Sequence, residues 1–129
     1  MVTHQDLSER GLAVGHELGV LRGTGGEDPI MGAFRELAQV TVLGAVWARP
    51  GLDLRTRTLV TVVSDISTGR FAELPIHARM ALGQGWTRDE LVEVALHLSS
   101  YVGAPMAREA LMTLSDVFAA MPEDTDTAS

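Results

Sequence analysis

Along almost the whole chain the apolar residues recur at helical spacing, and only residues 58–63, Thr-Leu-Val-Thr-Val-Val, have the β-branched density of a strand. A lone strand has nothing to pair with, so this stretch must find another way to satisfy its backbone. Leu59, Val62, Val63 and Ile66 fit one face of a helix, and Asp53, just after Pro50-Gly51, is a good N-cap. The pattern predicts a helix from Asp53 to about Ser67, ending near Gly69, within an all-α fold.

The other segments agree. Residues 5–19 carry Leu7, Leu12, Val14 and Leu18 in an irregular pattern that predicts a glycine-weakened helix. Residues 22–29 are Gly-rich and acidic, lack a phosphate-loop Lys, and read as a linker. Residues 30–47, with Ile30, Phe34, Leu37, Val40, Leu43 and Val46, predict a largely buried helix that stops before Arg49-Pro50-Gly51. Phe71, Leu74, Ala78, Ala81 and Leu82 form a further stripe, with Pro75 placed in a first turn. Thr87-Arg88-Asp89-Glu90 has the form of a capping box and opens a helix with Leu91, Val92, Ala95, Leu98, Ser99 and Val102 inward. Gly103 can end it, and Pro105 can start a last helix that buries Met106, Ala110, Leu111, Leu114 and Phe118. About six helices make one domain over residues 1–121, and the acidic segment 122–129 is expected to be disordered.

Composition narrows the chemistry. A chain of 129 residues that is 46% hydrophobic, with a mean hydropathy of +0.14, is apolar for its size, which predicts surface shared between subunits. There is no Cys, which excludes thiol peroxidation, disulfide exchange and thiolate metal sites. All ten basic residues are Arg, so Schiff-base chemistry on a lysine is excluded too. A net charge of −7 and a pI near 4.9 argue against nucleic acid as a partner. No run approaches the ~20 apolar residues of a membrane span, and the first residues carry no signal pattern, so no membrane association is expected and the expected location is cytoplasmic.

Two acid–histidine pairs repeat one spacing, Glu73 with His77 and Glu93 with His97. Four residues apart on a helix, each carboxylate can fix its imidazole's tautomer, or the pair can simply be an exposed charge pair. Two His and two Glu also suggest a metal, but no His-Glu-x-x-His or Glu-x-x-His spacing is present, and no metal or other cofactor is expected. Arg57, Thr61, Ser64, Asp65 and Thr68 follow one helical line, a pocket wall or a solvated face. Arg49 can bind a carboxylate or cap its helix, and Trp47 and Trp86 sit beside turns. Tyr101, one turn beyond His97, can lend a phenolic proton or cap the core.

Trp47-Ala48-Arg49-Pro50-Gly51-Leu52-Asp53-Leu54-Arg55-Thr56-Arg57-Thr58-Leu59-Val60-Thr61, Glu73-Leu74-x-x-His77, Ala81-Leu82-x-x-Gly85-x-Thr87-x-x-Glu90 and Glu93-Val94-x-x-His97-x-x-x-Tyr101-x-Gly103-x-Pro105 resemble the carboxymuconolactone decarboxylase family, in order and spacing, over about residues 44–110. The resemblance implies an all-helical fold of the alkylhydroperoxidase D type, assembled as a homotrimer or homohexamer with sites near subunit contacts. In the redox branch of that superfamily a Cys-x-x-Cys-x-x-x-His motif stands where this chain has Arg70, Glu73 and His77. With both sulfurs absent the chemistry must be acid–base.

The implied activity is a cofactor-independent lyase that removes CO2 from a carboxylated unsaturated lactone or a related enolisable acid. His77, Glu73 and His97 are the catalytic candidates, with Arg49, Arg55, Arg57, Trp47, Asp65 and Tyr101 around the substrate. Residues 40–45 and 64–67 depart from typical members at expected pocket walls. Dehydration, isomerisation or cyclisation through an enolate, or a binding protein without turnover, therefore stay open.

Overall fold

The computed structural model describes residues 1–20 and 28–122, and among them are six α-helices, one π-helical stretch and no strand. The helices are α1 (His4–Leu18), α2 (Pro29–Ala38), α3 (Leu54–Thr68), α4 (Leu74–Gly83), α5 (Arg88–Val102) and α6 (Ala104–Ala120), with the π-helical stretch Gln39–Trp47 continuing α2. Most of the expected linker and all but Pro122 of the expected acidic tail lie outside the described residues. No helix of the described residues is long and apolar enough to cross a membrane. Two compact units divide the chain, residues 1–57 and residues 58–129.

In the first unit α1 starts with a capping box not foreseen in the sequence. The Thr3 hydroxyl accepts from the Asp6 amide at 3.1 Å, and the Asp6 carboxylate accepts from the Thr3 amide at 2.9 Å. The glycines of α1 belong to its packing. A Cβ on Gly11 would lie 1.8 Å from the Gln39 carbonyl oxygen, and one on Gly44 would lie 2.0 Å from that of Leu7. α1 and the π-helical stretch therefore meet backbone against backbone, which only glycine permits. Gln39 Nε2 ties the contact by donating to the Ser8 carbonyl and hydroxyl, both at 3.0 Å.

The predicted buried helix over 30–47 is corrected twice. It changes from α to π bonding at Gln39, with the Ala48 amide reaching back five residues to the Leu43 carbonyl at 2.9 Å. Its first half also buries nothing. Ile30, Phe34 and Leu37 are exposed, because the glycine contact engages the second half and leaves the α2 stripe uncovered.

The second unit is built on side chains. Val62 and Ile66 of α3, Leu74, Ala78 and Ala81 of α4, Leu91, Ala95 and Leu98 of α5, and Ala110, Leu114 and Val117 of α6 form one core. Residues 58–63, for all their β-branched density, are helical as predicted, within a helix capped by Asp53, whose Oδ1 accepts from the Thr56 amide at 2.7 Å. Pro75 falls in the first turn of α4, and Thr87 and Glu90 close the expected capping box on α5. In α6 Met106, Leu111 and Phe118 are only half-buried, and Ala107 and Val117 join Ala110 and Leu114 inside.

Candidate functional site

Thr58, Val62, Asp65 and Ile66 are the buried residues of α3, and of these Asp65, with 4% of its surface exposed, is the ionisable one. A carboxylate in such a place is stable only when hydrogen-bonded. Its partner is His77, whose Nδ1 stands 2.5 Å from Asp65 Oδ2.

The connection between α3 and α4 makes this pair possible. Gly69, at φ +71°, ends α3, and the Arg70 amide donates to the Asp65 carbonyl at 2.8 Å. The Arg70 carbonyl accepts from the Leu74 amide at 3.1 Å, so the chain turns back at once into α4 and carries His77 to Asp65. With Nδ1 facing the carboxylate, Nε2 is the ring atom left for a substrate, and 21% of the His77 side chain is exposed. The pair can hold an imidazole in one orientation and balance the positive charge on it when Nε2 is protonated.

The orienting acid predicted from spacing, Glu73, precedes α4 at the N-cap position and is exposed. Its carboxylate has no hydrogen bond or ion pair among the described residues, so the acid that meets the imidazole is Asp65. In the sequence Asp65 stood in a polar line and among the residues around the substrate, and nothing there paired it with His77. That line divides in the fold: Asp65 is buried, while Ser64 and Thr68 are exposed and bonded to each other, Thr68 Oγ1 donating to the Ser64 carbonyl at 2.7 Å.

His97 lies elsewhere in the second unit. It lines a 550 Å³ groove with Val63, Glu93, Val94 and Leu98, and its ring centroid is 5.2 Å from that of the exposed Tyr101. Neither Asp65 nor His77 lines that groove. Trp47, Arg49, Arg55 and Arg57 belong to the first unit, where Arg49 and Arg55 are exposed and Trp47 is half-buried. Arg57 fastens the turn before α3, with Nε donating to the Leu52 carbonyl at 3.1 Å and Nη2 to that of Arg49 at 3.0 Å. No three His, Asp or Glu side chains of the described residues are gathered as metal ligands.

The sequence profile of the carboxymuconolactone decarboxylase family matches residues 32–116, a span that takes in α3 to α5 and the Asp65–His77 pair. The chain belongs to the carboxymuconolactone decarboxylase family. It is 44% identical over 75 residues, 58% of its length and 56% of the relative's, to the 4-carboxymuconolactone decarboxylase of Acinetobacter baylyi. To the nitrosuccinic acid decarboxylase of Metarhizium robertsii it is 38% identical over 78 residues, 60% of this chain and 54% of that one. An uncharacterised 15.0 kDa protein of Paracoccus denitrificans is 34% identical over 83 residues, 63% of this chain and 62% of its own. The matched segment thus spans just over half the length of the two decarboxylases.

Proposed function

We propose that this member of the carboxymuconolactone decarboxylase family is a cofactor-independent carboxy-lyase acting on a small dicarboxylate with an electron sink beside the carboxylate that leaves. The observation that carries the reading is the Asp65–His77 pair, a buried carboxylate holding an imidazole whose other nitrogen is free. Two relatives favour decarboxylation, one named for a carboxymuconolactone and one for nitrosuccinic acid. Each of those acids has two carboxyl groups, one lost as CO2 and one kept. Each also has a group that can take the electron pair, an unsaturated lactone or a nitro group.

In this reading the bond between carbon and the leaving carboxylate breaks, and its electron pair moves into the sink. His77 Nε2 then delivers its proton to carbon, Asp65 balances the ring while it is charged, and solvent restores the proton through the exposed edge of His77. A protein without Cys has no thiol route. The acidic Glu73, one turn before His77, is a relay for that returning proton rather than its orienter. Self-association to a homotrimer or homohexamer belongs to the proposal as well, supported by the uncovered apolar stripe Ile30, Phe34 and Leu37 on α2.

The test is CO2 release and ultraviolet loss of 4-carboxymuconolactone, with nitrosuccinate as second substrate. His77→Gln should lower kcat by ~10²–10⁴ with helix content unchanged. Asp65→Asn should fall between that loss and a smaller one for Glu73→Gln. If His77→Ala kept near-full turnover while His97→Ala lost it, the chemistry would belong to the Glu93–His97–Tyr101 line. Wild-type protein that released no CO2 from either acid would point to another enolate reaction or to binding without turnover.

A further inference from the structure

The junction that brings Asp65 and His77 together carries a cation that the proposed chemistry has not used. Arg70 stands at the junction of α3 and α4, its amide bonded to the Asp65 carbonyl at 2.8 Å and its carbonyl accepting from the amides of Glu73 and Leu74, both at 3.1 Å. Helical bonding runs on from Arg70 through the Glu73 carbonyl to the His77 amide at 3.2 Å. Arg70 and Glu73 therefore sit in the turn that leads into α4, seven and four residues before His77. Arg70 is exposed, and its guanidinium has no hydrogen bond or ion pair among the described residues. It is thus unlike Arg57, which is committed to backbone carbonyls, and Arg88, which donates to the Pro122 carbonyl at 3.1 Å and lies 5.3 Å from the centre of the Phe118 ring.

Electrostatics gives this position a task. Asp65 and Glu73 both bring negative charge to the site, and even a protonated His77 offsets only one of them. A dicarboxylate would be repelled there unless a further cation faced it. Arg70, bonded through its backbone to Asp65 and to the start of α4, can supply the charge, and a guanidinium can grip a carboxylate through two parallel N–H donors.

We propose that Arg70 is the carboxylate anchor of the Asp65–His77 site, holding the carboxylate that the substrate keeps while the other leaves from beside His77. This rests on the dicarboxylate reading above, and the anchor can be tested apart from turnover. Succinate, a dicarboxylate without an electron sink, serves as the binding probe, followed through the ¹⁵N and ¹H signals of the His77 ring. Wild-type protein should show saturable shifts, Arg70→Gln should weaken binding by ~10–100-fold, and Arg70→Lys should recover part of it because the charge returns without the fork. Equal affinity for succinate in wild type and Arg70→Gln, or no binding by wild type, would overturn the anchor.

With 4-carboxymuconolactone as substrate, Arg70→Gln should raise KM by a similar factor and leave kcat within ~3-fold. A fall in kcat at unchanged KM would also overturn it. Absence of CO2 release by wild type would instead remove the decarboxylase reading, with the succinate titration still deciding Arg70.

Discussion

Residues 1–57 and 58–129 are both helical, yet they are held together by different means. The second unit fills its interior with Val62, Ile66, Leu74, Leu91, Leu114 and the alanines between them, so its stability comes from apolar side chains removed from water. In the first unit the central contact is made by the backbones around Gly11 and Gly44, and four large apolar residues of α2, Ile30, Met31, Phe34 and Leu37, remain in solvent. A side-chain core tolerates small volume changes, whereas a backbone contact has no atom that can rotate out of the way. The unit with the more regular core also carries the buried acid–histidine pair, whose geometry needs a fixed α3–α4 junction.

The largest effect that separates the two regions is expected from Gly44→Ala. Its Cβ would meet the Leu7 carbonyl at 2.0 Å, and the cost should exceed about 4 kcal/mol. Amide exchange should then lose protection across α1 while α5 and α6 keep theirs; unchanged protection in α1 would break the comparison. Leu114→Ala should do the reverse. It hollows the second unit and should cost about 3 kcal/mol by denaturant titration, with protection lost first in α4 to α6.

Gly32→Ala is the same substitution as Gly44→Ala with the opposite sign. Nothing lies within 4 Å of its Cβ position in α2, so the variant should gain about 0.5–1 kcal/mol from the lower entropy of its unfolded chain. A thermal melt that fell instead would mean the α2 surface is more tightly covered than its exposure indicates.

The smallest effect concerns acid. Hydrogen bonds from the Thr56 hydroxyl and amide hold the Asp53 carboxyl below its ordinary 3.8, and the Thr3 amide and hydroxyl do the same for Asp6. A carboxyl depressed in the folded state contributes stability that is complete above its unfolded value and is lost as pH falls through the folded one. Both caps belong to residues 1–57, so as pH falls below the ordinary carboxyl value of 3.8 the starts of α1 and α3 should loosen before the second unit does. Asp53→Asn, which still accepts a hydrogen bond, should flatten that dependence at α3.

Much of this division follows from how far each interaction reaches. Asp53, Thr87 with Glu90, Pro75 and Pro105 act on amides and turns within a few residues of themselves, so the sequence by itself determined where α3 to α6 begin and that residues 58–63 are helical. The family motifs were legible for the same reason, being local strings with fixed spacing. The partner of His77 was not. Four-residue spacing pointed to Glu73, and the acid that meets the ring is twelve positions away on another helix, brought there by the reversal at Gly69 and Arg70. Nor could residues 5–19 reveal that their glycines mark a contact with Gln39 and Gly44, because a missing Cβ looks like a weak helix until the second backbone is against it. The sequence determined the helices through short-range hydrogen bonds and sterics. The tertiary structure alone decided which faces meet, because the phase and distance between helices are set by packing between segments far apart in the chain.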